Sequence, residues 1–184
     1  MITTAAKRRT SARPGLDLLV DAIATAAHRG TDPATTAALV ADVLTHLEPH
    51  ADLLTDIERA GSPDRTTSHV LHAEQEFTVS AVVWRPGQTT SIHDHLVWCS
   101  FVVLSGAETE TLYELGGDRL GEAGTRHRPV GSVSAAAPPD DIHRVSNTGD
   151  DVAITLHVYG ADLSTGSSVR RTYPDALVTT TGRY

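Results

Sequence analysis

Apolar residues in the first third of the chain recur at helical spacing. Leu16, Leu19, Val20, Ile23, Ala26 and Ala27 fall on one stripe, and Gly30 stands where a helix would end. Asp32-Pro33 has the form of an N-cap followed by proline in the first turn, which opens a second helix to about Leu47. The pattern predicts a third, shorter helix over residues 49–60, stopped by Gly61 and Pro63. From Phe77 the period changes to two, with Phe77, Val79, Ala81 and Val83 alternating with Thr78, Ser80, Val82 and Trp84. Strand-like segments follow at 100–104, 109–115, 130–134 and 152–159, separated by Gly, Pro, Asp and Asn. The stretch VRRTYPDALV near the end is expected to lie back across the sheet. Helices first and short strands afterwards predict an α+β chain, mainly β, whose strands close as a sandwich or barrel.

Composition narrows the class. At 184 residues the chain falls in the range of one domain with a sizeable core. The expected division is a disordered tail over 1–13, a helical segment over 14–61 and a barrel with a C-terminal extension over 66–184, forming one domain over 14–184. A net charge of -8 argues against a nucleic-acid partner, because phosphate binding needs a basic face. No run approaches the ~18 apolar residues of a membrane span, so no membrane partner is expected. The start, MITTAAKRRTSARPG, is basic but lacks an apolar core of the kind a signal peptide carries. One cysteine, Cys99, excludes an intramolecular disulfide and fits a reducing cytoplasm.

The candidate chemistry lies in three histidines. In GQTTSIHDH, His93 and His95 are two apart, and on a strand such residues share a face, so both can reach one ion. PPDDIHRVSN brings His143 from fifty residues later. Zinc on three histidines would support hydrolysis or hydration, and iron an oxygenase; the ligand set alone does not separate the metals. In VAITLHVY, Val152, Ile154, Leu156 and Val158 take one face, so Thr155, His157 and Tyr159 share the other as a row of polar groups.

These blocks resemble a family. Gly87, His93 and His95, with Gly106 closing the block, look like the first cupin motif, and Pro138, His143 and Asn147 look like the second, with Asp140 where the family has glycine. The usual cupin glutamate is replaced by Cys99, as in the thiol dioxygenase branch. WRPGQTTSIHDHLVW, IHRVSN, ITLHVYGADL and SSVRRTY are similar to blocks of cysteine and 3-mercaptopropionate dioxygenases, and the likeness covers roughly residues 68–173.

The resemblance implies N-terminal helices packed on a cupin, jelly-roll-like β-barrel. It implies one Fe(2+) per chain on His93, His95 and His143, and a small thiol and O2 as substrates. A ligand set without carboxylate leaves the ion its full 2+ charge, which an anionic thiolate then complements. Thr155, His157 and Tyr159 match the family's Ser-His-Tyr relay and are the expected catalytic residues, in a connected hydrogen-bond row. Cys99 and Tyr159 are the candidate pair for a thioether cross-link. Trp98 is expected to wall the pocket, with Ser68 in the stretch SHVLHAEQEF where cysteine dioxygenases carry a carboxylate-binding arginine. That stretch has none, so Arg171, with Arg170 beside it, is the expected carboxylate anchor, as in the 3-mercaptopropionate branch. The reading is a cytoplasmic dioxygenase, monomer or homodimer, that forms a sulfinate from a carboxylate-bearing thiol of 3-mercaptopropionate or L-cysteine type. The alternatives are a cupin that oxidises another thiol or takes oxidation further, and a non-catalytic cupin that binds a metal or small ligand.

Overall fold

The computed structural model describes residues 13–139 and 141–179. The expected tail lies outside the described residues except for Arg13, as do Asp140 and residues 180–184. Arg13 is anchored rather than tail-like. Its guanidinium donates to both Glu58 carboxylate oxygens at 2.8 Å and to the Leu53 carbonyl at 2.6 Å.

The first two helices form where the apolar stripe and the caps place them. Helix α1 (Leu16–Arg29) ends at Gly30. Helix α2 (Pro33–Leu47) starts at Asp32, whose carboxylate accepts from the Thr35 amide at 2.9 Å. The single helix expected over 49–60 is instead broken into a 3-10 turn at Ala51–Leu53 and a short α3 (Asp56–Ala60). The cause is local: Thr55 and Glu58 form a reciprocal capping box that starts a new helix at Asp56. Thr-x-x-Glu was the legible signal for that restart.

Among the described residues ten strands follow: β1 (Thr67–Ala73), β2 (Thr78–Trp84), β3 (Ile92–His95), β4 (Cys99–Ser105), β5 (Ala107–Gly116), β6 (Arg119–Pro129), β7 (Val133–Ala136), β8 (His143–Ser146), β9 (Ala153–Tyr159) and β10 (Val169–Tyr173). They form two antiparallel five-stranded sheets, ordered β1-β2-β9-β4-β7 and β10-β3-β8-β5-β6. This is the expected α+β, mainly β jelly-roll barrel with helices before it. The pattern gave no sign of β6. Its sequence, RLGEAGTRHRP, has no apolar alternation because it is a largely exposed edge strand, held by its ladder to β5.

Strand β2 is buried at all seven positions because both its faces are covered. Phe77, Val79, Ala81 and Val83 join Leu156 and Val158 of β9 in one cluster with Leu19 and Ile23 of α1 and Val40 and Leu44 of α2. Each such side chain contributes about 1.5–3 kcal/mol by burial. The Ser100 hydroxyl donates to the Ala37 carbonyl at 2.7 Å, clipping α2 to β4. The opposite face of β2, with Thr78, Ser80, Val82 and Trp84, lines the interior of the barrel. The helices thus back one wall of that interior and hold it rigid. Among the described residues no helix is long and apolar enough to cross a membrane.

Two residues of the sequence blocks shape the barrel's turns. Gly106, between β4 and β5, has φ +66°, and a Cβ there would sit 2.8 Å from the Val152 carbonyl oxygen and 2.9 Å from the Ala153 Cα. Buried Asn147 donates through Nδ2 to the carbonyls of Trp84 and Asp151, at 2.9 and 2.8 Å, while its own carbonyl accepts from Gly87 N. It joins the end of β2, the loop before β3 and the turn before β9. These are the loops from which the histidines spring.

Candidate metal centre

Register brings the three histidines together. His93 on β3 stands directly opposite His143 on β8, and His95 lies two residues along the same face. The ring centroids are 4.7–5.1 Å apart, and one nitrogen from each ring falls within 4.8 Å of the others. Each Nδ1 faces a fixed acceptor. His93 Nδ1 lies 3.0 Å from the Ser91 carbonyl, His95 Nδ1 2.8 Å from the Asp141 carboxylate, and His143 Nδ1 2.9 Å from the Glu110 carboxylate. A carbonyl or carboxylate oxygen can only accept, so each Nδ1 carries the hydrogen and each Nε2 keeps its lone pair. Three inward-facing imidazoles, those of His93 and His95 buried and that of His143 half-buried, are donors that suit a divalent metal of borderline softness. The residues present therefore fit the implied ion.

Burial pushes His93 down to about 4, helped by the neighbouring His143, so it is neutral at ordinary pH. Burial alone would raise Glu110, but hydrogen bonds from His143 and Arg128 outweigh it and hold this carboxyl at about 2. Arg128 donates to Glu110 Oε2 through Nε at 2.9 Å and Nη2 at 2.6 Å, and through Nη2 to the Ser134 hydroxyl at 3.1 Å. Asp141 is likewise lowered, its burial outweighed by the bond from His95. Next to this pair Glu108 is buried with neither carboxylate oxygen bonded to protein. Burial, then the charge of Glu110, raises it to about 8, so it is largely protonated near neutral pH.

Sequence reasoning missed Glu110, Asp141 and Arg128. The legible hint was Glu108 and Glu110 at alternate positions of β5, where both are buried on the strand's inner face. Asp141 and Arg128 gave no local signal. Their roles come from pairings 46 and 18 residues apart in sequence.

The polar row on β9 faces inward, with His157 and Tyr159 lining a cavity of about 520 Å³ that also exposes the three histidines. The row is not hydrogen-bonded throughout, which corrects the expectation. Trp84 Nε1 donates to the Thr155 hydroxyl at 3.0 Å, and Thr155 pairs with His157 Nε2 at 2.9 Å. The step to Tyr159 is a ring stack, with centroids 5.6 Å apart and planes 9° from parallel. Residues two apart on a strand project side by side, which favours stacking over an end-to-end bond. His157 Nδ1 instead faces Cys99 Sγ at 3.7 Å. Burial lowers His157 to about 3 and raises the Cys99 thiol and the Tyr159 phenol, so all three are neutral. Cys99 and Tyr159 stand directly opposite each other across β4 and β9.

Three expected substrate contacts are not in the cavity. Arg170 pairs with Asp94, which also accepts from the Tyr173 hydroxyl at 2.7 Å, and Arg171 is exposed with its guanidinium 4.6 Å over the Tyr173 ring. A bulge between Val169 and Arg171 in the pairing of β10 with β3 sets these directions, and a bulge re-aims side chains. Trp98 lies in the core shared with the helices rather than on the cavity wall. Its indole occupies the space over Gly160, where a Cβ would come within 2.1 Å of Nε1. Ser68 does line the cavity, its hydroxyl 2.7 Å from that of Ser80.

Comparison with known proteins finds distant structural likenesses and one family match. Solved structures with similar folds include a conserved protein with a double-stranded β-helix domain from Klebsiella pneumoniae, 20% identical over 60% of this chain and 84% of that one, with a TM-score of 0.49. A cupin superfamily protein from Desulfitobacterium hafniense is 16% identical over 62% and 89% of the two chains, with a TM-score of 0.46. The family model for cysteine dioxygenase type I matches residues 32–171, a span that includes every metal-facing residue described above. The chain therefore belongs to the cysteine dioxygenase type I family and is a thiol dioxygenase, an oxidoreductase that incorporates O2 into its substrate.

Proposed function

We propose that the chain holds one ferrous ion on His93, His95 and His143 and oxidises a thiol to its sulfinate. The observation that carries this reading is the donor set itself: three imidazoles oriented through Nδ1, with no carboxylate among the described residues joining them at the same point. When bound, iron would supply open coordination positions for thiol and O2, lower the thiol's pKa and keep its charge uncancelled by protein ligands. The reaction balances as RSH + O2 → RSO2⁻ + H⁺. Both oxygen atoms bond to sulfur, which loses four electrons as O2 gains four.

The remaining work falls to the chain's own residues. Tyr159, kept protonated by burial, offers an O–H donor on the cavity wall beside Cys99 and Ser168. His157 fixes the phenol's plane by stacking, and Thr155 and Trp84 fix His157. Val82, Phe101 and Val145 supply apolar wall that limits water. The cross-strand placement of Cys99 and Tyr159 supports a thioether between Sγ and a ring carbon of the phenol, a bond that replaces S–H and C–H and whose two protons and two electrons would pass to O2. The carboxylate-bearing thiol expected from sequence rested on Arg171, and with that side chain outside the cavity the proposal here is restricted to a thiol.

The test combines metal analysis with product identification. Purified protein should carry one iron per chain, and His95→Ala should lose it while its circular dichroism is unchanged. With an active thiol, O2 uptake should match formation of a product heavier by both oxygen atoms. Oxidation to disulfide alone, with no oxygen in the product, would refute the reading.

A further inference from the structure

The strand that carries His93 and His95 is only four residues long, and its ladder to β8 is the single pair His93–His143. Its other edge is held by β10, through the pairs Val169–His95, Arg171–Asp94, Thr172–His93 and Tyr173–Ile92. β10 is itself the last strand of that sheet. The step from Val169 to Arg171 skips Arg170, which bulges out of the ladder. Without the bulge Arg170 would stand opposite Asp94, and Tyr173 would fall one place beyond Ile92. A one-residue slip of this kind turns each side chain to the other face. Arg170, Arg171 and Thr172 are exposed, so the choice between the two registers falls to what the buried Tyr173 meets.

Tyr173 meets Asp94. That carboxylate lies on the face of β3 that carries Ile92, away from the imidazoles, and is 1% exposed. Its Oδ2 accepts from the Tyr173 hydroxyl at 2.7 Å and from the Arg170 guanidinium. Its Oδ1 is buried with no hydrogen-bond partner among the described residues. The Tyr173 ring packs with Ile92, Tyr113, Leu120 and Ile142. A half-satisfied carboxylate beside an apolar cluster is costly, and an aliphatic side chain there would add packing instead. What the carboxylate supplies is a condition that the bulged register meets. It holds both the residue left out of the ladder and the residue that ends it. The same register continues past His95, where the Leu96 amide donates to the Ser168 carbonyl at 2.7 Å, and Ser168 and Val169 then line the cavity. Resting on the reading of the three histidines as a metal centre, we propose that Asp94 is a positioning residue. Through Tyr173 and Arg170 it fixes β10 on β3, and so the separation and aim of His93 and His95.

Metal binding itself is the readout, with Co(II) as a probe because its visible spectrum reports ligand geometry. The parent, Asp94→Ala, Asp94→Asn and Tyr173→Phe are titrated with Co(II), and Fe(II) affinity is taken from chelator competition. Asp94→Ala and Tyr173→Phe should bind both ions about tenfold or more weakly, the loss typical of groups that orient ligands from outside, and with a shifted Co(II) spectrum. Asp94→Asn keeps an acceptor for the Tyr173 hydroxyl and should recover affinity to within about threefold of the parent. Leu120→Val, which loosens the same apolar cluster without touching Asp94, should keep the parent spectrum. If Asp94→Ala does not fold, Tyr173→Phe, which removes one hydroxyl and keeps the ring, decides. Parent-like affinity and spectrum in Tyr173→Phe overturn the proposal and leave the metal centre standing, as does an equal change in Leu120→Val. A parent that binds neither ion refutes the metal centre itself, and the proposal with it.

Discussion

Replacing Glu110 by Gln should damage the metal centre through an atom that touches no metal. Glu110 is buried, its side chain 7% exposed, and its carboxylate accepts from two donors, His143 Nδ1 at Oε1 and Arg128 at Oε2. Glutamine has one oxygen and one NH2, so one of these donors must then face another donor. If the oxygen stays with Arg128, the NH2 turns His143 to the tautomer protonated on Nε2 and removes the lone pair meant for the ion. If it turns to His143, the guanidinium, 12% exposed, is left buried beside an N–H group. Loss of an outer partner of this kind costs about 10–100-fold in metal affinity. Breaking a buried ion pair from one side costs about 3–5 kcal/mol. The hydrogen bonds lead to a similar figure, since those made to a charged group are each worth about 1.5–3 kcal/mol. Iron affinity measured by chelator competition should fall at least tenfold, and urea unfolding should show a loss of about 3 kcal/mol. A variant that keeps iron within twofold of the parent would show that the tautomer of His143 is set elsewhere.

Four further outcomes follow from the geometry. Tyr159→Phe should lower kcat by about 10²-fold while thiol affinity, read anaerobically, changes little, because the lost O–H acts on the reacting atoms; an equal loss in both would make the phenol a binding group. Arg171→Ala should change KM for any thiol by less than about twofold, as expected of an exposed side chain away from the cavity; a larger rise confined to carboxylate thiols would return it to the site. Gly106→Ala should cost about 1–3 kcal/mol in denaturant unfolding, since alanine meets both a left-handed φ and the backbone of Val152 and Ala153. Glu58, held at about 2 chiefly by its bond from Arg13, contributes stability that is present above its unfolded value of 4.5 and lost as pH falls toward 2. Solvent screening limits this to about 1 kcal/mol, and Glu58→Gln should remove that part of the acid dependence of unfolding.

Local preferences along the chain settled the parts of the fold that depend on near neighbours. The stripe of α1, the Asp32-Pro33 start of α2 and the two-residue period of β2 and β9 are local preferences, and each formed as its residues dictate. The same period placed His93 with His95 and His157 with Tyr159 on shared faces, because alternation is a property of a single strand. Where the next few residues competed, as at Thr55 and Glu58, the broader helical pattern gave way to a capping box. Tertiary structure decided everything that needed a partner strand. The pairing of His93 with His143 across β3 and β8, and of Cys99 with Tyr159 across β4 and β9, is fixed by register between segments distant in the chain. Glu110 and Asp141 became orienting groups only because β5 and the loop before β8 bring them behind the rings. The direction of Arg170 and Arg171 was set by a bulge against β3 and by Asp94 and Tyr173, none of which the SSVRRTY block contains except Tyr173 itself. A motif specifies which residue types the chemistry needs. Which way a long, charged side chain points is decided by the nearest compensating charge, and that is a property of the folded barrel.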